Sequence, residues 1–223
     1  MSAALARLGL PGEEKSWAAL GFAIRDGRFR IGEIECTVDT PPSWGFDGAH
    51  ADTALLGIPE LLPSRAGSSG QPPAPGSTPV PVTSAPGSES GHESLVDTTH
   101  PNAVSFIDHV VYWAPDLDDA VAALNAVLGA EPRRRFHPRG PEGPEMAFYR
   151  AGAAVLEVVA SGKPAMLPGI AFGTVDLDAA VAAVRTAGGP IGDPRDAVQG
   201  GRIASVWSRY LNWGIAFYEP APR

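Results

Sequence analysis

Hydrophobic and polar positions in the second half of the chain follow two periods in turn. Apolar residues alternate with polar ones over short segments, as in half-buried strands, and then recur every three or four positions, as in amphipathic helices. From residue 104 this pattern predicts one strand, one helix and three further strands. Their predicted ranges are 106–113, 116–128, 133–137, 145–150 and 154–159.

The same order of elements then recurs along the chain. The second set is predicted at 169–175, 176–187, 190–193, 202–208 and 214–219, with the strand at 190–193 only weakly marked. The two helix starts, DLDDAVAAL at 116–124 and DLDAAVAAV at 176–184, are identical at seven of nine positions. A repeat of this period is one supersecondary unit used twice. We therefore predict two βαβββ units, about 104–162 and 167–220, in a domain spanning 103–223.

The N-terminal segment, 1–62, shows a different pattern. Apolar positions in 2–10 and again in 13–22 have helical spacing, interrupted at Pro11 and Gly12. The stretch 27–39 alternates as a strand does. A segment of this length with two or three strands has a thin core. We therefore predict an α/β extension that packs against the rest of the chain.

Residues 63–102 separate these two parts. They contain eight Pro, five Gly and eight Ser and no aromatic residue. Such a stretch cannot bury enough apolar area to offset the conformational entropy lost on ordering. The composition predicts a flexible linker.

Charge and cysteine content narrow the classes of partner and compartment. The net charge of -8 argues against nucleic acid and against an anionic membrane surface as partners. No apolar run has the length of a membrane helix, and the N-terminus lacks the apolar core of a signal peptide. The single cysteine, Cys36, cannot form an internal disulfide. These features predict a soluble, cytoplasmic protein with a buried Cys36.

Paired βαβββ units with these motifs resemble the vicinal-oxygen-chelate superfamily, which includes glyoxalases, bleomycin-resistance proteins and extradiol dioxygenases. The resemblance is carried by DHVVYWAPDLDDAVAAL and AVLEVV in the first unit and GIAFGTVDLDAAVAAV in the second. It implies an α+β fold in which two units form curved mixed sheets around a cleft. It also implies a divalent metal in the cleft, held by the first and last strand of each unit. One scaffold of this kind hosts many chemistries.

Carried onto this chain, the resemblance implies metal ligands in the first unit only. His109 lies on its first strand and Glu157 on its last, where Glu157 could also act as the catalytic proton carrier. An offset of sixty residues places Gly169 opposite His109, and Phe217 or Ala216 opposite Glu157. None of these can bind a metal through its side chain. Imidazole and carboxylate together would suit Zn, Fe, Mn or Ni.

Two protein ligands are fewer than the three that catalytic metal sites commonly use. A second subunit in a homodimer could supply more, or other acidic and histidine side chains of this chain: Glu219, Glu33, Glu35 and His50. The alternative is a hydrogen bond between His109 and Glu157 without metal, because a carboxylate in an apolar strand is costly unless paired. Both interpretations stay open at this point.

Aromatic residues of the domain are candidates for the walls of a ligand pocket. They are Trp113, Phe148, Phe172 and Trp207. The sequence thus favours a glyoxalase-like protein that binds a small organic molecule in a cleft with a reduced metal site. The alternative is a metal-dependent lyase, isomerase or dioxygenase, in which the metal polarises one of two adjacent substrate oxygens.

A run of three arginines, 133–135, stands out in an otherwise acidic chain. Side chains of a strand alternate between faces, so Arg133 and Arg135 would point the same way, toward a carboxylate or phosphate of a ligand. The sequence favours a solvated edge strand over this ligand-binding role.

Overall fold

The computed structural model describes residues 2–63, 99–138, 140–198 and 200–222. Most of the predicted linker, 64–98, falls outside these residues. Within them, the N-terminal segment and the C-terminal domain share one apolar core. No helix in the described ranges combines the length and apolar character needed to cross a membrane.

The N-terminal segment forms a four-stranded sheet with one short helix. Its elements are β1 (Ala4–Gly9), α1 (Glu14–Ala19), β2 (Arg28–Ile31), β3 (Ile34–Thr37), β4 (Ser43–Asp47) and a 3-10 turn at Thr53–Leu56. The strands pair in the order β2-β3-β1-β4. β1 runs parallel to β3 and antiparallel to β4.

The first apolar stretch is a strand, so the predicted helix over 2–10 was wrong. The pairing of β1 with β4 shifts by one residue between Leu5 and Arg7. Leu5 and Leu8 are therefore both buried although they lie three positions apart, which is the spacing of one helix face. Because β1 pairs with a strand on each side, tertiary contacts override the local pattern.

The predicted single strand over 27–39 is a hairpin. Ile31 pairs with Ile34 and leaves Gly32 and Glu33 as a two-residue loop between β2 and β3. Gly32 has a φ of 57°, which glycine adopts without the steric cost that a side chain brings. The strand alternation continues across the loop, so only the glycine marks the turn.

The C-terminal domain contains eight strands and two helices. They are β5 (Val104–Ala114), α2 (Leu117–Leu128), β6 (Arg134–Phe136), β7 (Met146–Ala151), β8 (Ala154–Ala160), β9 (Met166–Thr174), α3 (Leu177–Thr186), β10 (Arg195–Asp196), β11 (Arg202–Ser205) and β12 (Gly214–Glu219). Asp116 caps α2 by accepting from the Asp119 N–H at 3.0 Å, and Asp176 caps α3 by accepting from the Ala179 N–H at 2.9 Å.

All eight strands belong to one mixed sheet in the order β10-β11-β12-β9-β5-β8-β7-β6. In each half the first strand lies parallel to the last, β5 to β8 and β9 to β12. The halves join where β5 and β9 pair antiparallel. The predicted α+β fold of two βαβββ units is confirmed.

One strand of the second unit lies further along than predicted. The range 190–193 contributes a single bridge, between Ile191 and Val206, and β10 is the two-residue strand Arg195–Asp196. Pro190 and Pro194 lack the backbone N–H that a strand ladder uses. They therefore limit regular pairing in this stretch.

The N-terminal segment packs on the face of the large sheet that carries the helices. The Trp17 and Phe172 ring centroids are 6.0 Å apart, and those of Phe22 and Phe172 are 4.8 Å apart. The Tyr112 hydroxyl donates to the Leu56 carbonyl at 2.8 Å. The predicted packing of an N-terminal extension against the domain is confirmed, and no element of the described N-terminal segment covers the opposite face of the large sheet.

Two residues at the end of the predicted linker are buried, unlike those of a flexible segment. His100 and Asn102 are buried. The Ala23 N–H donates to His100 Nδ1, and His100 Nε2 lies 2.8 Å from the Arg30 carbonyl oxygen. A neutral imidazole bonded at both nitrogens can be buried at little cost, which a count of polar residues does not reveal.

Candidate functional site

The open face of the large sheet curves around a cleft with two lobes of about 800 Å³ and 440 Å³. The smaller lobe is lined by residues of both outermost strands, β6 and β10. These strands stand at opposite ends of the sheet order, so the sheet bends until its two edges face each other. His109, Met146 and Glu157 line both lobes and mark the boundary between them.

An irregularity in β5 decides which side chains reach this cleft. The pairing with β9 shifts between Ile107 and His109. Ile107 and Val110 are both buried in the core, and the two residues between them, Asp108 and His109, both line the smaller lobe. Ile107 therefore faces the core although it lies two positions before His109, and Asp108 joins the site.

Asp108 fixes the ring of His109. The His109 Nδ1–H donates to Asp108 Oδ2 at 2.8 Å, and about a quarter of each side chain is exposed. Burial lowers the pKa of His109, but the Asp108 hydrogen bond and the charges of Glu157 and Asp108 together outweigh it. The pKa of His109 is therefore raised above its ordinary value of 6.5. The site favours an imidazolium.

Glu157 reaches the same cleft from the neighbouring strand. In the parallel pairing of β5 with β8 it lies opposite Val111. Around it a separate apolar cluster covers the cleft face, formed by Met146, Phe148 and Val159. The two ligating residues predicted from the sequence are thus brought together. They are polar groups in a mainly apolar wall.

Two of the four predicted pocket residues line the cleft. Trp113 lines the larger lobe, with the Lys163 ammonium 4.9 Å from the centre of its ring, and Phe148 lines the smaller lobe. Phe172 is fully buried on the helix-bearing face against Trp17 and Phe22. Trp207 is 66% exposed and lines neither lobe. The pocket prediction was wrong for these two residues.

The second unit offers no ligating side chain at the equivalent positions. His109 lies opposite Val155, two residues before Glu157, and Gly169 lies opposite Gly214, two residues before Ala216. Ala216 is therefore the structural equivalent of Glu157, and it lines the larger lobe as Gly169 does. Phe217 faces the core. The register settles which of the two predicted equivalents is correct.

The other residues proposed as ligands lie away from the cleft. Glu219 forms an ion pair with Arg202, 3.2 Å apart. The remaining candidates, Glu33, Glu35 and His50, belong to the N-terminal segment, which packs on the opposite face of the sheet. The described residues contain no group of three or more histidine, cysteine or carboxylate side chains suited to a metal. The residues at this site do not fit a metal held by three or four protein ligands.

Sequence reasoning missed several residues of the smaller lobe. Besides Asp108 they are Arg134, Arg195 and Tyr218. The sequence predicted that Arg133 and Arg135, not Arg134, would face a ligand. Arg134 lines the lobe, whereas Arg135 bonds Glu145 at 2.8 Å. The βαβββ repeat could have indicated that Arg134 and Arg195 line the same lobe, because their strands, β6 and β10, are equivalent elements of the two units.

Comparison with known proteins agrees with this architecture. Residues 108–205 match the family described as Glyoxalase/Bleomycin resistance protein/Dioxygenase superfamily. No curated protein matches the sequence significantly.

Solved structures from three bacteria are among those similar to this chain. Methylmalonyl-CoA epimerase from Mycobacterium tuberculosis is 22% identical, with a TM-score of 0.46 over 54% of this chain and 91% of that chain. Streptomyces coelicolor methylmalonyl-CoA epimerase in complex with 2-nitronate-propionyl-CoA is 23% identical, with a TM-score of 0.43 over 53% and 99%. A hypothetical protein from Bacillus halodurans C-125 is 16% identical, with a TM-score of 0.44 over 52% and 95%.

The duplicated βαβββ architecture and the family match at 108–205 confirm the predicted resemblance. Residues 108–205 of the C-terminal domain thus resemble the glyoxalase, bleomycin resistance protein and dioxygenase superfamily, and the domain has the predicted glyoxalase-like fold.

Proposed function

We propose that the C-terminal domain binds one small organic molecule in the cleft, with a polar oxygen of that molecule against His109 and Glu157. The observation that carries this proposal is the position of these two residues. They line both lobes and are set in apolar walls. Ligand sites commonly combine a mainly apolar cavity with a few convergent polar groups.

The hydrogen bond from His109 to Asp108 leaves one ring nitrogen for a ligand. Nδ1 is engaged by Asp108, and no side chain or carbonyl of the described residues is bonded to Nε2. The raised pKa of His109 favours a proton on both nitrogens. Nε2–H can then donate to a ligand oxygen, while the Glu157 carboxylate accepts from a ligand hydroxyl.

A metal-dependent reaction has less support. It would need at least one further protein ligand near His109 and Glu157, and the described part of the chain offers none there. We therefore propose that the cleft works without a metal held by the protein. Ligand binding through His109 is the function that the geometry of the cleft supports best.

The test uses the full chain purified without added metal. Elemental analysis is expected to find no stoichiometric Zn, Fe, Mn or Ni, and none of these ions should raise the unfolding temperature, because only a ligand of the native state stabilises it. Calorimetric titration compares 2-naphthol with naphthalene. We expect 2-naphthol to bind one per chain, more tightly than naphthalene, because its hydroxyl can reach His109 and Glu157.

Two substitutions then test whether His109 and Glu157 contact the ligand. His109→Ala and Glu157→Gln are each expected to weaken 2-naphthol binding by about tenfold, equivalent to the loss of one well-made polar contact. The exposed His137→Ala serves as the matched control and should not change it. One tightly held metal per chain, or unchanged binding in His109→Ala, would contradict the proposal.

A further inference from the structure

The two lobes of the cleft differ in charge and in the size of the side chains that line them. We infer that the apolar body of the ligand lies in the larger lobe, over the strands of the second unit, and that Ala216 and Ser205 limit its size. The inference rests on the proposed function, because it concerns the same ligand. It adds the chemical class: an uncharged apolar body of about fused-ring size with one oxygen at its end.

Charged residue types separate the two lobes. Six side chains of the Asp, Glu, His, Lys and Arg types line the smaller lobe, and three line the larger lobe. Those three are His109 on β5, Glu157 on β8, and Lys163 in the connection that follows β8. Among the described residues, the second unit contributes none to the larger lobe. Because covering a charged side chain with an apolar group removes it from water at a cost, an apolar body fits better over the second unit.

The second unit also leaves more room above the sheet than the first unit does. Five lobe-lining positions that alternate with core residues along β9, β11 and β12 have side chains no larger than serine. They are Gly169, Ala171, Ser205, Gly214 and Ala216. The first unit places larger side chains in the same lobe, such as Trp113 and Met146. Because Ala216 is the equivalent of Glu157, its methyl group leaves the space that a longer side chain would fill.

The register fixes how far this space extends from His109. Ala216 lies opposite Ala171, and Ala171 lies opposite His109. Neighbouring strands are about 4.8 Å apart, so the main chains at Ala216 and His109 are separated by roughly 10 Å. Ser205 pairs with Ala216 from the next strand, β11. A ligand whose oxygen contacts His109 therefore reaches these two residues only if its body is about as long as a fused pair of rings.

Ala216 and Ser205 can be enlarged toward the lobe and away from the core. The neighbours of Ala216 in the chain, Ile215 and Phe217, belong to the core. Ala216 itself is half-buried, as Ser205 is, and both line the larger lobe. A leucine at either position would occupy part of the space that a second ring needs, because two groups cannot fill the same volume. The two positions give independent variants with the same expected effect.

Two further alanines supply matched controls. Ala197 lines the smaller lobe and not the larger one, so Ala197→Leu adds the same group to the other side of the cleft. Ala182 is exposed on α3, on the helix-bearing face of the sheet. Ala182→Leu therefore makes the same change away from the cleft. The first control tests which lobe holds the body of the ligand, and the second tests for a general effect of added apolar volume.

The experiment compares 2-naphthol with phenol, which carries the same hydroxyl group on a single ring. Proton NMR titration of the His109 ring in the full chain follows the binding of both probes. The wild type should bind 2-naphthol about tenfold more tightly than phenol, because the second ring buries further apolar surface. Ala216→Leu and Ser205→Leu should each remove this advantage and leave phenol binding unchanged. Ala197→Leu and Ala182→Leu should keep it. Circular dichroism and the unfolding temperature confirm that each variant is folded.

The outcomes separate the two proposals. A loss of 2-naphthol affinity in Ala197→Leu but not in the two larger-lobe variants would place the body in the smaller lobe and overturn the inference. A 2-naphthol affinity that no variant changes, or a loss that phenol shares, would also overturn it. In each of these cases, 2-naphthol binding that depends on His109 upholds the proposed function. If neither probe binds, the proposed function fails and the inference fails with it.

Discussion

At the scale of single residues, one irregular pair in β5 determines the chemistry of the cleft. Regular alternation would have buried Asp108 on the helix-bearing face, where an unpaired carboxylate is costly. The register shift turns Asp108 to the cleft beside His109. The sequence predicted His109 and Glu157 as site residues, but a bulge has no clear sequence signal, so Asp108 could not be predicted.

Replacement of Asp108 tests this coupling. Asp108→Asn should lower the pKa of His109, because the burial that lowers it stays while the carboxylate bond and charge that raise it are lost. Proton NMR titration of the His109 ring measures the change. Asp119→Asn, an exposed substitution on α2, is the control and should leave the titration unchanged.

The raised pKa of His109 also makes the stability of the protein depend on pH. The folded pKa of His109 lies above 6.5, so its protonation stabilises the native state below that pH. The contribution is lost as the pH rises from 6.5 through the folded pKa. Urea unfolding of Asp108→Asn should show a smaller loss over this interval. An unchanged His109 pKa in this variant would show that Asp108 does not control the ring.

At the scale of elements, the repeat was the most informative part of the sequence. Both helices and the first and last strands of each unit are found where the pattern places them. The failures have local causes. The irregular pairing of β1 mimics a helix, Gly32 alone marks the turn between β2 and β3, and prolines displace β10. Pattern periods describe regular segments and miss single-residue insertions.

The close pairing of β9 with β12 leaves no room for a side chain at Gly169, the position equivalent to His109. A Cβ atom at Gly169 would clash with the Gly214 carbonyl oxygen. We expect Gly169→Ala to destabilise the protein by about 1–3 kcal/mol, because the strands must separate to admit the methyl group. Urea unfolding measures this difference.

Gly192→Ala is the matched control. A Cβ atom there would lie 3.6 Å from the Ser205 carbonyl oxygen, an ordinary contact. Its effect should be within about 0.5 kcal/mol, as for most tolerated surface changes. Equal effects of the two substitutions would refute the close approach at Gly169.

At the scale of the whole molecule, the N-terminal segment is part of the domain's core and leaves the cleft open. The sequence predicted that this segment packs on the domain but could not tell on which face. That choice depends on contacts distant in sequence, such as Trp17 and Phe22 against Phe172. These contacts place Phe172 in the core and not in the pocket. The sequence could not show this, because both faces of its strand are apolar.

His100 joins the two parts of the molecule and gives a prediction of the opposite sign to His109. Burial lowers the pKa of His100, so the native state favours the neutral ring. The stabilisation that the neutral His100 ring provides is complete above the unfolded-state pKa near 6.5. It is lost as the pH falls toward the folded-state pKa. His100→Gln should cost about 1–3 kcal/mol at pH 7, because buried partners lose their hydrogen bonds.

Urea unfolding between pH 7.5 and 5.5 measures both effects, and the His100→Gln variant should lose less stability over this interval than the wild type. The exposed His137→Gln is the control. A wild-type stability that rises as the pH falls, after correction for His109, would contradict a neutral His100.

The shortness of the outer strands also bears on self-association. β6 has three residues and β10 has two, so the large sheet exposes few free backbone N–H and C=O groups at its margins. In the smaller sheet, the chain around Glu60 runs along β4, and arginines 28 and 30 stand on β2 at the other margin. Such features disfavour hydrogen bonding between the edge strands of separate molecules. Two copies that met through the large sheet would therefore have to join by side-chain packing and not by extending the sheet.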